Sequence, residues 1–269
     1  MSTRARLRPK RTWVVVAWIA TVVAGAVAVA PAAFANSPVT DGQPLSEFIA
    51  NSVPEWNFAR ANNNDTCWPA TAIDGNGTQH EPLSRSPWPD TDSGCAPANS
   101  PFTTYVSAKN CNDSEIRTSF TLYFPKDGFS PGKLGHDHDF EYIVVVWRKN
   151  GGDWSRDRLL MSRHGKNIPL AWSDVESWNA DLSNAGLGQE HPRIFVGWGK
   201  HAMFNNQAGL KDVVSQFTDN EYRHADYRVF PADQVEVTDD NDVAKAFDGF
   251  SWGEASSNPA VVSRNMCGF

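Results

Sequence analysis

Between Thr118 and Phe124 the chain alternates. Thr118, Phe120, Leu122 and Phe124 fall on one face of an extended segment, and Ser119, Thr121 and Tyr123 on the other. Alternation with period two predicts a half-buried strand. Residues 142–147, Tyr-Ile-Val-Val-Val-Trp, form an unbroken β-branched and aromatic run instead, which predicts a central strand buried on both faces. Residues 158–161 and 193–198 carry further strand signals, and 235–238 a weaker one. Helical spacing is confined to 173–182 and 207–217. From residue 36 to 112 the chain is rich in Pro, Asn, Asp, Gly and Ser, which predicts mainly loops and short strands. Strands spread along most of the chain and joined by short turns predict a mainly β fold, a β-sandwich with a few flanking helices, over a βαβ layout. No internal repeat and no interdomain linker is visible.

The ends change this picture. Arg4, Arg6, Arg8, Lys10 and Arg11 precede an apolar run from Trp13 to Val29 and then Ala33-Phe34-Ala35, the order of a secretory signal peptide with a small-x-small cleavage site. Residues 1–35 are therefore expected to be a signal peptide and residues 36–269 one secreted, extracellular domain. The alternative is an uncleaved anchor helix, since the run is only slightly short of a membrane span. Removing five of the 24 basic residues leaves 19 against 31 acidic ones, a balance of −12. That charge argues against nucleic acid and against simple adsorption to an anionic membrane. It suits a ligand that is neutral or is reached through a bound cation. Cys67, Cys95, Cys111 and Cys267 are an even set in a chain expected to be exported, which reads as two disulfides with three pairings open.

The densest chemistry is Gly135-His136-Asp137-His138-Asp139-Phe140-Glu141, immediately before the most apolar strand. Asp137, Asp139 and Glu141 stand at i, i+2 and i+4. In a strand they leave one face at intervals of roughly 6.5–7 Å. Such carboxylates repel unless something positive lies between them. A hard divalent ion, Mg²⁺ or Ca²⁺, meets that need with oxygen ligands. A solvated acidic turn is the alternative reading of the segment.

Three rival motifs fail on their residues. H-x-H-x-D-H begins at His136 and His138, but Phe140 and Glu141 stand where Asp and His are needed. Gly128-Phe129-Ser130-Pro131-Gly132 fits G-x-S-x-G, yet the residue after the serine must offer an N–H to an oxyanion, and Pro131 has none. Asp74-Gly75-Asn76-Gly77-Thr78 starts like a calcium loop whose twelfth position is Arg85 in place of Glu.

The heptapeptide followed by Tyr142-Ile143-Val144-Val145-Val146-Trp147 resembles a signature of the necrosis-inducing (Nep-like) proteins, whose usual form is G-H-R-H-D-W-E. Leu122-Tyr123-Phe124-Pro125-Lys126-Asp127 is similar to the family's "YFPKD" strand end. Ser162-Arg163-His164-Gly165 and Val196-Gly197-Trp198-Gly199-Lys200-His201-Ala202 resemble two of its histidine-bearing segments, and Trp252-Gly253-Glu254-Ala255-Ser256-Ser257 more loosely its ending. The resemblance implies a β-sandwich shaped like actinoporins and fungal lectins. It also implies a non-catalytic cytolysin that binds glycosylated sphingolipid head groups and damages the bilayer, with no stable protein partner. Carried over by position, one Mg²⁺ or Ca²⁺ would lie among Asp127, His136, Asp139 and Glu141, with His201 reaching it through water. His138 and Asp137 are candidates for orienting a carboxylate or touching the ligand. The family's common disulfide implies Cys67–Cys95, which leaves Cys111 with Cys267. Three departures mark the chain: Asp137 for arginine, Phe140 for tryptophan, and one extra residue between Asp127 and His136. The alternative function is a secreted metal-dependent hydrolase of a glycan or phosphodiester, with the ion as Lewis acid and His138 or His201 as base.

Overall fold

The structure, a computed structural model, describes residues 37–130, 135–207 and 223–269. The expected signal segment and the expected helix beyond Gln207 lie outside the described residues. Two sheets face each other. The larger takes β1 (Val39–Thr40), β5 (Thr103–Asn112), β6 (Glu115–Lys126), β7 (Asp137–Asn150), β8 (Asp153–Arg163), β9 (Lys166–Ala171) and β15 (Asp233–Glu236), ordered β1-β8-β7-β6-β5-β15 with β9 also on β8. The smaller takes β2 (Glu55–Phe58), β10 (Glu176–Trp178), β11 (Ala185–Leu187), β12 (His191–Val196), β13 (Met203–Phe204) and β14 (Tyr227–Val229), ordered β11-β10-β12-β2-β14 with β13 on β12. β3 (Arg60–Ala61) and β4 (Asn64–Asp65) form a separate hairpin.

The sandwich follows from the patterning. Phe120, Leu122 and Phe124 of β6 and Ile143, Val145 and Trp147 of β7 share one core with Trp56, Phe58, Ile194 and Val196 of the smaller sheet. The other face of the larger sheet meets the helices. Tyr123 and Phe140 pack with Ala244, Phe247 and Trp252, and Val144 and Val146 with Val262. The helices are α2 (Asp242–Gly249) and α3 (Pro259–Asn265), capped by the side chains of Asn241 and Asn258. That double cover explains the continuous apolar run of β7. It also corrects the expectation for β6, which is buried on both faces along its whole length.

Two other expectations are revised. Residues 173–182 are not a helix: Trp172–Asp174 makes one 3-10 turn, and Glu176–Trp178 enters the smaller sheet between β11 and β12. Val175 and Ser177 are buried two apart, as extended chain requires. The stretch 36–112, expected as mainly loops and short strands, also holds α1 (Leu45–Ala50), β2 and the ten-residue β5. Tryptophan serves mainly the core. Seven of the nine after residue 35 are buried, and only Trp88 is exposed, at 38%. Cys67–Cys95 and Cys111–Cys267 are the two disulfides. Among the described residues no helix is long and apolar enough to cross a membrane.

Candidate metal centre

Three pieces of backbone converge at one end of the sandwich. β7 delivers Asp139 and Glu141 opposite Phe124 and Leu122 of β6, on the face that carries Ile143 and Val145 toward the smaller sheet. The β6–β7 connection is closed by paired backbone hydrogen bonds between Asp127 and His136, 2.8 Å from Asp127 N to His136 O and 3.2 Å in return. The loop after β12 folds on itself through Gly197 N–H to Ala202 O (3.0 Å) and Ala202 N–H to Lys200 O (2.8 Å), presenting Lys200 and His201. The His201 ring lies flat on Phe124, with centroids 3.7 Å apart and planes at 2°.

Gly135 is required where it stands. Its φ is +143°, and a Cβ there would lie 2.0 Å from the Asp127 carbonyl oxygen. With this closure beside Gly135, Asp127 stands in the cluster with Asp139 and His201. Lys126 points elsewhere. Its buried Nζ donates to Ser86 Oγ (2.7 Å) and Ser93 O (2.6 Å), holding the segment that Cys95 anchors.

Asp127, Asp139 and His201 are all buried and offer ligand atoms within 4.8 Å of one another. His201 Nδ1 donates to Asp139 Oδ2 at 3.0 Å and lies 3.7 Å from Asp127 Oδ1. His136 Nε2 is 3.7 Å from Asp127 Oδ2, while its Nδ1 pairs with His138 O at 2.6 Å. Lys200 Nζ is 3.1 Å from Asp127 Oδ2. Ser162 Oγ donates to Glu141 Oε2 and accepts from Tyr142 N–H. A polar cavity of about 310 Å³ opens over this floor, walled by Ser162, His164, Lys166, Lys200 and the segment Glu254–Ser257.

The electrostatics fit a cation. Burial, and then the charge of Asp139, raise the Asp127 carboxyl above its usual range, against His201, Lys200 and His136. The same two causes raise Glu141 well above its own, against the Ser162 hydrogen bond. Burial pulls His136 down, but Asp139 and Asp127 outweigh it and leave it raised. Asp127 Oδ1 and His201 Nε2 are buried without a hydrogen-bond partner. Orphaned acceptors among crowded carboxylates are what a divalent ion with oxygen and imidazole ligands relieves.

These directions predict a sign. In a chelator, Asp127→Asn should be more stable than wild type at pH 7.5, by roughly 2–5 °C in Tm. A carboxyl raised in the folded state costs nothing below its ordinary pKa of about 4 and progressively more as pH climbs through the raised value. The advantage should therefore shrink toward pH 5, and saturating Mg²⁺ or Ca²⁺ should reverse it. A difference independent of pH would refute the assignment.

Not every expected residue joins the site. His138 has φ +53°, and this left-handed residue breaks the alternation between Asp137 and Asp139. Asp137 is exposed and lines a separate cavity with Arg85 and Gly253, so the three carboxylates do not share one face. His138 meets Tyr123 Oη at 2.8 Å and Trp252 edge-on, in place of the expected carboxylate. Phe140 packs against Tyr123 and Trp252 on the helix-covered face. His201 hydrogen-bonds Asp139 directly. Ser162 and Lys200 received no role from sequence, although each stands in a histidine-bearing segment noted there.

Residues 57–213 match the sequence model of a family described as "Necrosis inducing protein (NPP1)", a span that contains Asp127, His136, Asp139, Glu141 and His201. Comparison with curated proteins finds no match. The fold is similar to a solved structure described as "Crystal structure of non-toxic HaNLP3 protein", at 20% identity over 82% of this chain and 90% of that one, TM-score 0.52. It is similar to "NLPPya in complex with mannosamine" at 14% identity over 85% and 90%, TM-score 0.53. A third, "Toxin fold for microbial attack and plant defense", aligns at 17% identity over 85% and 90%, TM-score 0.51.

Proposed function

This chain belongs to the necrosis-inducing protein family, and from that premise we propose that it is a secreted, cation-dependent cytolysin that binds sphingolipid sugar head groups and damages the bilayer without catalysing a reaction. The observation that carries this reading is the buried Asp127–Asp139–His201 cluster flooring a polar, solvent-connected cavity. Asp127, His136, Asp139 and Glu141 would hold one Mg²⁺ or Ca²⁺. His201 orients Asp139 through its Nδ1–H, and Ser162 does the same for Glu141. The bound cation would offer open coordination positions to sugar hydroxyls. His164 and Glu254 line the same cavity, where polar groups would select among sugars.

The similar structure that holds mannosamine supports a sugar-sized ligand for a site on this fold. Another similar protein is described as non-toxic, so head-group binding and membrane damage call for separate measurements. The deciding experiment is dye release from vesicles containing a glycosylated sphingolipid, with the cation present or chelated. Release that needs both the lipid and the cation, with the lipid recovered intact, is the expected result. A cleaved head group would move the assignment to the metal-dependent hydrolase, and release indifferent to chelation would remove the cation from the mechanism.

A further inference from the structure

Lys200 is set apart in this site by its contact with a candidate ligand. It lines the cavity, its side chain is 16% exposed, and its Nζ lies 3.1 Å from Asp127 Oδ2. The other Asp127 oxygen is the one without a hydrogen-bond partner. A cation ligated by Asp127 would sit about 2.0–2.6 Å from a carboxylate oxygen, within a few ångströms of that ammonium. Like charges so close repel strongly even at an effective dielectric near 20. The ammonium and the divalent ion therefore make opposing claims on one carboxylate.

We propose that Lys200 is a built-in counter-cation, which neutralises Asp127 when no metal is bound and must withdraw into the cavity when one enters. The long flexible stem of lysine permits that movement, and its compact ammonium is readily rehydrated. The consequence is a site whose cation affinity is held down by its own side chain, so that occupancy follows the external cation concentration. This inference rests on the cation reading above, and it adds a specific antagonist inside the site.

Calorimetry with Mg²⁺ and with Ca²⁺ on wild type, Lys200→Met and Lys200→Gln tests it, with Lys166→Met as control. Lys166 lines the same cavity, and among the described residues no acidic side chain pairs with it. Both Lys200 variants should bind at least about 10-fold more tightly than wild type, and Lys166→Met within about 3-fold. In a chelator the Lys200 variants should melt below wild type, and saturating cation should close that gap. Unchanged or weaker affinity in both Lys200 variants, or an equal gain in Lys166→Met, would overturn the assignment while leaving the metal centre standing. If neither wild type nor any variant binds either cation, the metal reading fails and this inference fails with it. Purifying every variant in the presence of cation keeps the comparison valid should the metal-free Lys200 variants prove too unstable to isolate.

Discussion

Asp139→Ala is expected to weaken cation binding by at least about 100-fold and to abolish vesicle leakage, in a protein that still folds. Asp139 is the hub of the cluster: it accepts from His201 at 3.0 Å, and its charge pushes up the carboxyls of Asp127 and Glu141. Removing it takes away one of three carboxylates, leaving too little negative charge to draw a hard ion out of its hydration shell. Folding should survive for two reasons. The substitution relieves like-charge repulsion in the metal-free site. Among the described residues it also strands one donor, His201 Nδ1, which has Asp127 Oδ1 3.7 Å away as a substitute acceptor. Calorimetry, circular dichroism and dye release on one preparation make the test. A folded variant that binds with wild-type affinity would place the ion elsewhere. One that loses the ion and still lyses would make the cation structural.

Replacing Cys111 and Cys267 together by serine should cost about 5 kcal/mol, the chain-entropy expectation for a closed loop of this length, spanning 156 residues. The Cys67–Cys95 bridge closes a loop of only 28 residues, and the same substitution there should cost about 3.5 kcal/mol. The readouts differ in kind as well as size. Cys267 anchors the C-terminal turn whose Phe269 ring stacks on Tyr142, and Arg117 donates to Phe269 O at 3.0 Å. None of the expected ligands comes from that segment. Loss of Cys111–Cys267 should therefore lower Tm steeply and leave cation affinity within about 3-fold. Loss of Cys67–Cys95 should lower both, because the loop that it closes carries Ser86 and Ser93, the partners of Lys126 beside Asp127. Thermal melts paired with calorimetry decide it, and a large affinity loss from the C-terminal pair alone would refute the division.

Sequence by itself determined the strands whose burial is periodic. Alternation over 118–124 and the apolar run over 142–147 mark β6 and β7 because side chains on an extended chain change face at every residue, so a buried face writes itself locally. It also determined the candidate ligands on the 135–141 segment, because carboxylates and imidazoles packed so densely are chemically conspicuous. Short elements escaped. α1, α2 and α3 span six, eight and seven residues, too short for a periodic stripe to rise above chance. β5 escaped because Thr103, Thr104 and Ser107 are buried polar residues that hide the alternation.

Tertiary structure alone decided which charges meet. Asp137 and Asp139 are two apart and read as equivalent, yet the left-handed backbone at His138 turns one to solvent and the other into the cluster. Lys200 lies far along the chain from Asp127, and only the packing of the loop after β12 against the end of β6 brings it there, while Ser162 reaches Glu141 across the β7–β8 pairing. The reason is physical. Secondary structure answers to neighbours within a few residues, whereas a buried ionic site exists only where remote segments exclude water together, so its geometry has no local signature to read.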